Sequence, residues 1–241
     1  MKYSNFIKDK SKTAVVLCLY IRLENLAPTL RCLAKQSNTD FDVYISNNTE
    51  GRHNEKINEI VLKRLSNFNF GIFEHFNKHK QFSRFFVARQ LAEEGYERII
   101  FIDDDEILPT TFIQECNDQY DENLIKSFYG HVVDEDYWKK KRLTGKEFGN
   151  YAGTGGLICS AKFFLNDKFF ECPEEYYIID DLWLSYFALK YTDYRIQILN
   201  TKIEFIHDGK ATAMGLQTVK QKFYKDFIYG LSLEPKNKSI V

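Results

Sequence analysis

Four acidic residues stand in a row in this chain, Asp103-Asp104-Asp105-Glu106, directly after the apolar run Ile99-Ile100-Phe101-Ile102. Adjacent carboxylates repel one another, and without a counter-charge some of their pKa values must rise. A hard divalent cation relieves that repulsion, because Mg2+ and Mn2+ take oxygen ligands. Such a cation uses one or two protein carboxylates and leaves its other positions to water and phosphate oxygens. The plain alternative is a solvated acidic turn after an edge strand. The wholly apolar run in front of it argues for the ligand site. A second acidic pair, Asp180-Asp181, opens the apolar stretch "DDLWLSYFALKY". Alone, that pair reads as a helix cap followed by a first-turn acid.

The elements that must position these acids follow from hydrophobic patterning. "TAVVLCLYI" is continuous, β-branched and apolar, as a strand covered on both faces should be. Leu23, Leu26, Leu30 and Leu33 then recur at helical spacing. "DFDVYISNN" is a second strand ending in a turn signal, "NEKINEIVLKRLSNF" a helix and "FGIFEHF" a third strand. "FSRFFVARQLAEEGY" is a helix closed by Gly95, and "RIIFID" the fourth strand. The alternation predicts an α/β sandwich, a mostly parallel sheet between helices. Ligands of such sheets bind at the carboxyl ends of the strands, where the acidic run lies.

The second half is less regular. "TTFIQECNDQY" predicts a short helix, and "LIKSFYGHVV" a strand. "DEDYWKKKRLTGKEFGN" reads as a polar, mobile loop. "YAGTGGLICSAKFF" brings a glycine cluster into a strand, "DDLWLSYFALKY" is a helix, and "YRIQILN" and "IEFIHDG" are short strands. "LQTVKQKFYKDFIYGL" is an amphipathic helix with Val219, Phe223 and Phe227 on its apolar face.

At 241 residues, with 44% hydrophobic and 28% charged side chains, the chain suits one globular domain of two lobes. A net charge of −1 gives no global field for nucleic acid. The five cysteines are scattered without a C-x-x-C pair and predict reduced, buried thiols. Neither a signal-peptide core nor an apolar run of membrane-spanning length is present in the sequence. The expected location is cytoplasmic.

With these motifs in hand, "IIFIDDDEIL" after "ARQLAEEGY" resembles the nucleotide-sugar site of GT-A fold glycosyltransferases, especially the family 2-like enzymes, whose hallmark is an Asp-x-Asp motif ending a strand. The likeness runs from Thr13 to about Gly215. It implies a single-domain, Rossmann-like α/β/α sandwich. Residues 1–11 become an N-terminal extension, 12–108 the nucleotide-sugar half, 109–215 the acceptor half, and 216–241 a C-terminal helix and tail. It implies a metal-dependent, inverting transfer from a nucleoside-diphosphate sugar, UDP-sugar favoured, to a hydroxyl of a glycan, lipid-linked or protein acceptor.

The same resemblance implies the site residues. Tyr20 and Arg22 in "VVLCLYIRLENL" cup the base, and Asn47 in "ISNNTEG" meets base or ribose. Arg84 in "KQFSRFFVARQLA" (with Arg89 the second choice) approaches the diphosphate, which suits a forked guanidinium. Asp105 coordinates Mn2+ or Mg2+. Asp103 and Asp104 hold the nucleoside side, Asp103 also reaching the metal, and Glu106 turns out of the site. Gly155 and Gly156 let sugar and acceptor approach the backbone. Asp181 is the general base, with Asp180 standing where the family has Glu, and His207 is a further metal ligand. Alternatives are a retaining GT-A enzyme and a catalytically inactive sugar- or nucleotide-binding scaffold. A nucleotidyltransferase would need a Gly-rich loop after the first strand, and "LYIRLENLAPTL" has none. The C-terminal helix is expected to pack on the body. The alternative is a peripheral contact with an anionic membrane surface.

Overall fold

The computed structural model describes residues 3–49, 53–206 and 215–233. Its first half holds β1 (Tyr3–Asn5), β2 (Thr13–Leu19), α1 (Leu23–Ala34), β3 (Asp42–Asn47), α2 (Asn54–Leu65), β4 (Phe70–Glu74), α3 (Ser83–Glu93) and β5 (Arg98–Asp103). Strands β4, β3, β2 and β5 lie side by side and parallel. Every residue of β2 and β3 is buried, which explains why neither alternates in polarity. The pleat splits their side chains between two cores. Val15, Leu17, Ile100 and Ile102 pack with Leu26, Leu30 and Leu33 of α1 and Ile57 and Val61 of α2. Ala14, Val16, Ile99 and Phe101 pack with Phe85, Ala88 and Leu91 of α3 on the other face. Each such side chain contributes about 1.5–3 kcal/mol on full burial, so the strands cannot slip register without exposing one core. Gly95, at φ +91°, closes α3 in the left-handed conformation that glycine tolerates.

The second half adds β6 (Glu106–Ile107), α4 (Phe112–Gln119), β7 (Leu124–Ser127), β8 (Gly130–Val133), β9 (Lys140–Arg142), β10 (Tyr151–Ala152) and β11 (Leu157–Ser160). It continues with α5 (Asp180–Tyr191), β12 (Arg195–Ile198), β13 (Glu204–Phe205) and α6 (Gln217–Phe223). Among the described residues the main sheet has eight strands in the order β1-β4-β3-β2-β5-β11-β7-β12. Strand β11 runs antiparallel between β5 and β7, and β12 is parallel to β7, so the sheet is mixed. Strands β10, β8 and β9 form a small second sheet.

Three expectations change. The polar stretch after Val133 is not a loose loop: Tyr137 and Leu143 are buried, and β9 pairs with β8. "LIKSFYGHVV" is two strands, because the chain leaves the main sheet at Phe128 and Tyr129. Tyr3–Asn5, within the expected N-terminal extension, join the sheet, since β1 pairs antiparallel with β4 at its edge.

The C-terminal helix packs on the body as expected, through a different face. After Phe223 the helix widens into a π-helical turn, Tyr224–Ile228. Phe223, Tyr224 and Ile228 are buried while Val219 and Phe227 stay exposed. Among the described residues no helix is long and apolar enough to cross a membrane.

Candidate active site

The ends of β2 and β5 and the start of α5 meet at one cavity of about 300 Å³. Tyr20, Arg22, Arg84, Asp103, Asp104, Asp105, Asp180 and Asp181 all line it. Residues from both halves of the chain therefore converge where the strand-end rule placed a ligand.

Arginines organise the carboxylates. Arg84 is buried on α3, with Nη1 2.8 Å from Asp103 Oδ1 and Nε 3.2 Å from Asp180 Oδ2. Arg22 Nη1 lies 3.1 Å from Asp104 Oδ1 and 2.9 Å from Asp105 Oδ2. Asp104 also accepts the Tyr20 N–H at 3.1 Å. It is thus turned inward, tying the chain after β2 to the acidic run. Burial pushes the Asp104 carboxyl up to about 6, against the pull of the Tyr20 N–H and Arg22.

Asp180 and Asp181 begin α5, where a helix N-terminus favours ionised carboxylates. They differ in their neighbours. Burial raises Asp180 to about 6, against the nearby Arg84 cation. Burial would raise Asp181 as well, but the Lys220 ammonium overcomes it and holds this carboxyl below its ordinary value. Asp181 Oδ2 receives Lys220 Nζ and the Tyr151 hydroxyl, each at 2.7 Å, and Oδ1 receives the Leu182 N–H at 2.9 Å. Lys140 Nζ sits 3.7 Å from the centre of the Tyr137 ring and 3.9 Å from that of Tyr151, and burial lowers its pKa to about 8.

Glu106 is the opposite of a bystander. It is wholly buried, and its Oε2 accepts the Asp103 N–H at 3.1 Å. Burial, with the neighbouring Asp103 charge, pushes its carboxyl well above the usual range and so disfavours its ionised form. Its expected outward turn fails because β6 pairs with β13 and carries Glu106 under the strand end.

Gly155 backs these acids: a Cβ there would stand 2.3 Å from Glu106 Oε1 and 2.8 Å from Asp103 Oδ2. Gly156, at φ +57°, packs instead against Ile203, and neither glycine lines the cavity, whereas Thr154 does. Asn47 also misses the cavity. Its amide caps its own turn, bonding Thr49 and Asn54. Its neighbour Asn48 faces a second cavity of about 530 Å³, with Tyr20, Leu23, His53 and Lys56. Arg89 lies on the surface, paired with Glu93 and Asp167. His207 falls outside the described residues. Lys220 and Tyr151 are the residues that sequence reasoning missed. Tyr151 abuts the glycine cluster and carried a signal by position, whereas nothing local separates Lys220 from Lys222 and Lys225.

The acidic run offers only oxygen donors, the set that suits Mg2+ or Mn2+. Among the described residues no three His, Cys, Asp or Glu side chains form a ready-made metal cage. Mg2+ and Mn2+ use one or two protein carboxylates and take their other ligands from water and phosphate. Asp103 and Asp105 both border the cavity and fit the role.

No family model and no curated protein matches the sequence. Solved structures do match. The S. aureus TarS fragment 1-349 in complex with UDP is 16% identical, with a TM-score of 0.54 over 79% of this chain and 58% of that one. GalNAc-T7 with UDP, GalNAc and Mn2+ is 13% identical, with a TM-score of 0.61 over 87% and 47%. A mannosyltransferase from Pyrobaculum calidifontis with GDP-Man and Mn2+ is 12% identical, with a TM-score of 0.61 over 88% and 62%. The fold is that of the GT-A glycosyltransferases. The chain spans about half to three fifths of the length of these structures.

Proposed function

We propose that this chain is a metal-dependent glycosyltransferase that moves a sugar from a nucleoside-diphosphate sugar to an acceptor hydroxyl. The observation that carries this reading is the convergence of strand-end carboxylates and a helix-start acidic pair on one cavity, with Arg84 between them. The GT-A relatives bound to UDP, or to GDP-Man and Mn2+, support a nucleotide-sugar donor in general.

The nucleoside lies in the second cavity, against Tyr20, Asn48 and His53, with UDP the favoured nucleotide. Its diphosphate extends past Tyr20 into the acidic cavity, since Tyr20 borders both. Asp105 and Asp103 would hold Mn2+ or Mg2+, and Arg22 and Arg84 keep those carboxylates oriented. The bound cation would stabilise negative charge on the departing diphosphate. Gly155 supplies the room behind the acids, and Gly156 the bend that follows.

Asp181 acts as the general base. It takes the proton of the acceptor hydroxyl as that oxygen bonds to the anomeric carbon. The bond from that carbon to the diphosphate oxygen breaks, and its electron pair leaves with the diphosphate. Attack opposite the leaving group inverts the anomeric centre. Asp180 orients the pair: its Oδ1 accepts the Asp181 N–H at 3.0 Å while Arg84 holds its other oxygen. The acceptor, a glycan or a lipid- or protein-linked hydroxyl, enters from the side of Trp138, whose exposed ring borders an open trough along α6.

The test is donor hydrolysis and transfer across a panel of nucleotide sugars, with and without Mn2+, together with calorimetric binding of UDP and GDP. Metal-dependent turnover is expected, and Asp105→Ala should abolish metal-dependent nucleotide binding. Absence of turnover and of nucleotide binding under all conditions would replace this reading with an inactive scaffold.

A further inference from the structure

Every described cation bordering the acidic cavity is already committed to a carboxylate. Arg22 bridges Asp104 and Asp105, Arg84 bridges Asp103 and Asp180, and Lys220 pairs with Asp181. Three cations thus face five aspartates, and a diphosphate entering such a site needs positive charge that can change partners.

The three are not equally able to move. Each arginine joins two carboxylates, one buried and one half-buried, and removing either from its place would leave both without their cation. Lys220 joins one. Its ammonium rides on a flexible four-carbon stem from α6, a short helix at the rim of the fold. When it leaves, Asp181 keeps the Tyr151 hydroxyl and the Leu182 N–H. The departure therefore costs less here than at either arginine.

The pairing also conflicts with chemistry at Asp181. Both lone pairs of its Oδ2 are taken, by Lys220 and Tyr151. A carboxylate neutralised by a salt bridge at 2.7 Å is a poor proton acceptor. A base in this state must lose the lysine before it can serve an acceptor hydroxyl.

We propose that Lys220 exchanges partners during the catalytic cycle. It holds Asp181 in the nucleotide-free protein and moves to the donor's diphosphate on binding, releasing Asp181 to take the acceptor's proton. Donor binding thereby switches on the base. This rests on the donor reading above. The exchange makes Lys220 a diphosphate-binding residue and ties the order of binding, donor before acceptor, to one ion pair.

A double-mutant cycle on nucleotide affinity tests it, using calorimetry with UDP and GDP in the presence of Mn2+. Lys220→Met should weaken diphosphate binding about tenfold, the loss of one charge-assisted contact. Asp181→Asn should tighten it several-fold, because the lysine no longer has to be drawn from a carboxylate. The double variant, which leaves no unpaired charge and guards against misfolding, should bind like Lys220→Met alone. Tightening by Asp181→Asn that persists without Lys220 would reduce the effect to general cavity charge and overturn the exchange. So would unchanged affinity in Lys220→Met. Failure of the wild-type protein to bind either nucleotide would instead remove the donor reading, a result distinct from both.

Discussion

Arg84 ties Asp103 to Asp180, spanning the end of β5 and the start of α5 with one buried guanidinium. The two aspartates are far apart in sequence and sit on elements that make no strand pairing with each other. Both carboxylates meet the charge of one planar guanidinium, whose Nε–H donates to the Gln81 carbonyl at 3.3 Å and so fixes the plane on α3. The gap between the metal-type acids and the base-type acids is therefore a property of α3, the helix that carries Arg84.

Replacing Arg84 should damage fold and site together. Arg84→Met leaves the buried Asp180 and the half-buried Asp103 without their shared cation. Breaking a buried pair in this way costs about 3–5 kcal/mol, readable as a lowered urea midpoint. Arg84→Lys keeps the charge but only as a point, so it can serve one aspartate. Partial recovery of stability without recovery of turnover is the expected result. Full activity in the lysine variant would show that the bridge is not needed.

The parts of the molecule legible in sequence are those whose signal is local. Strands β2 to β5 and their helices were readable because β2 and β3 are buried throughout, β4 and β5 are buried except at their ends, and α1 and α2 are amphipathic. The cavity acids were readable because strand ends bind ligands in such sheets. Other features depend on distant contacts. Tyr137 is buried because it packs on Tyr151 and Tyr224, which no pattern near residue 137 reveals. Asn47 and Asn48 differ by one register step, which sends one into its own turn and the other to the cavity. Lys220 reaches Asp181 only because the C-terminal helix folds back.

Glu106 should tolerate loss of its charge and not loss of its shape. Since burial disfavours the charged carboxylate, Glu106→Gln, which keeps the shape and drops the charge, should change stability by less than about 0.5 kcal/mol. Glu106→Ala removes the acceptor of the buried Asp103 N–H and leaves a void, a combined cost of about 2–3 kcal/mol. Chemical denaturation of both variants distinguishes this from an ionised, solvent-facing glutamate. In that case the alanine variant would be near neutral.

Acid should weaken the fold through His75. Burial, reinforced by His79, lowers its pKa from 6.5 to about 4. The folded protein therefore binds a proton less readily than the unfolded chain. The stability that this gives is complete above pH 6.5 and is lost as pH falls toward 4. Between pH 7 and pH 5 the loss at this one residue comes to about 2 kcal/mol. His75→Gln should flatten the pH dependence of the urea midpoint over that window. An equally steep profile in the variant would assign the acid sensitivity elsewhere.

Gly155 and Gly156 should fail for different reasons when changed to alanine. At Gly155 the new methyl carbon would meet Glu106 Oε1 at 2.3 Å and Asp103 Oδ2 at 2.8 Å. Glu106 is wholly buried, so the methyl displaces the Asp103 carboxylate toward the cavity. Overpacking of this kind costs about 1–3 kcal/mol, and it falls on a proposed metal ligand. At Gly156 the positive φ strains any L side chain, and the added carbon meets the Ile203 side chain at 2.3 Å, away from the carboxylates. Gly155→Ala should therefore weaken Mn2+-dependent nucleotide binding by at least about tenfold, a loss of roughly 1.4 kcal/mol. Gly156→Ala should lower thermal stability while leaving nucleotide affinity within about twofold, since its clash is with an apolar neighbour. Calorimetry paired with thermal melts separates the two. Equal effects on affinity would mean that the glycine pair acts as one flexible hinge, and that the contact between Gly155 and the acids does not set the metal site.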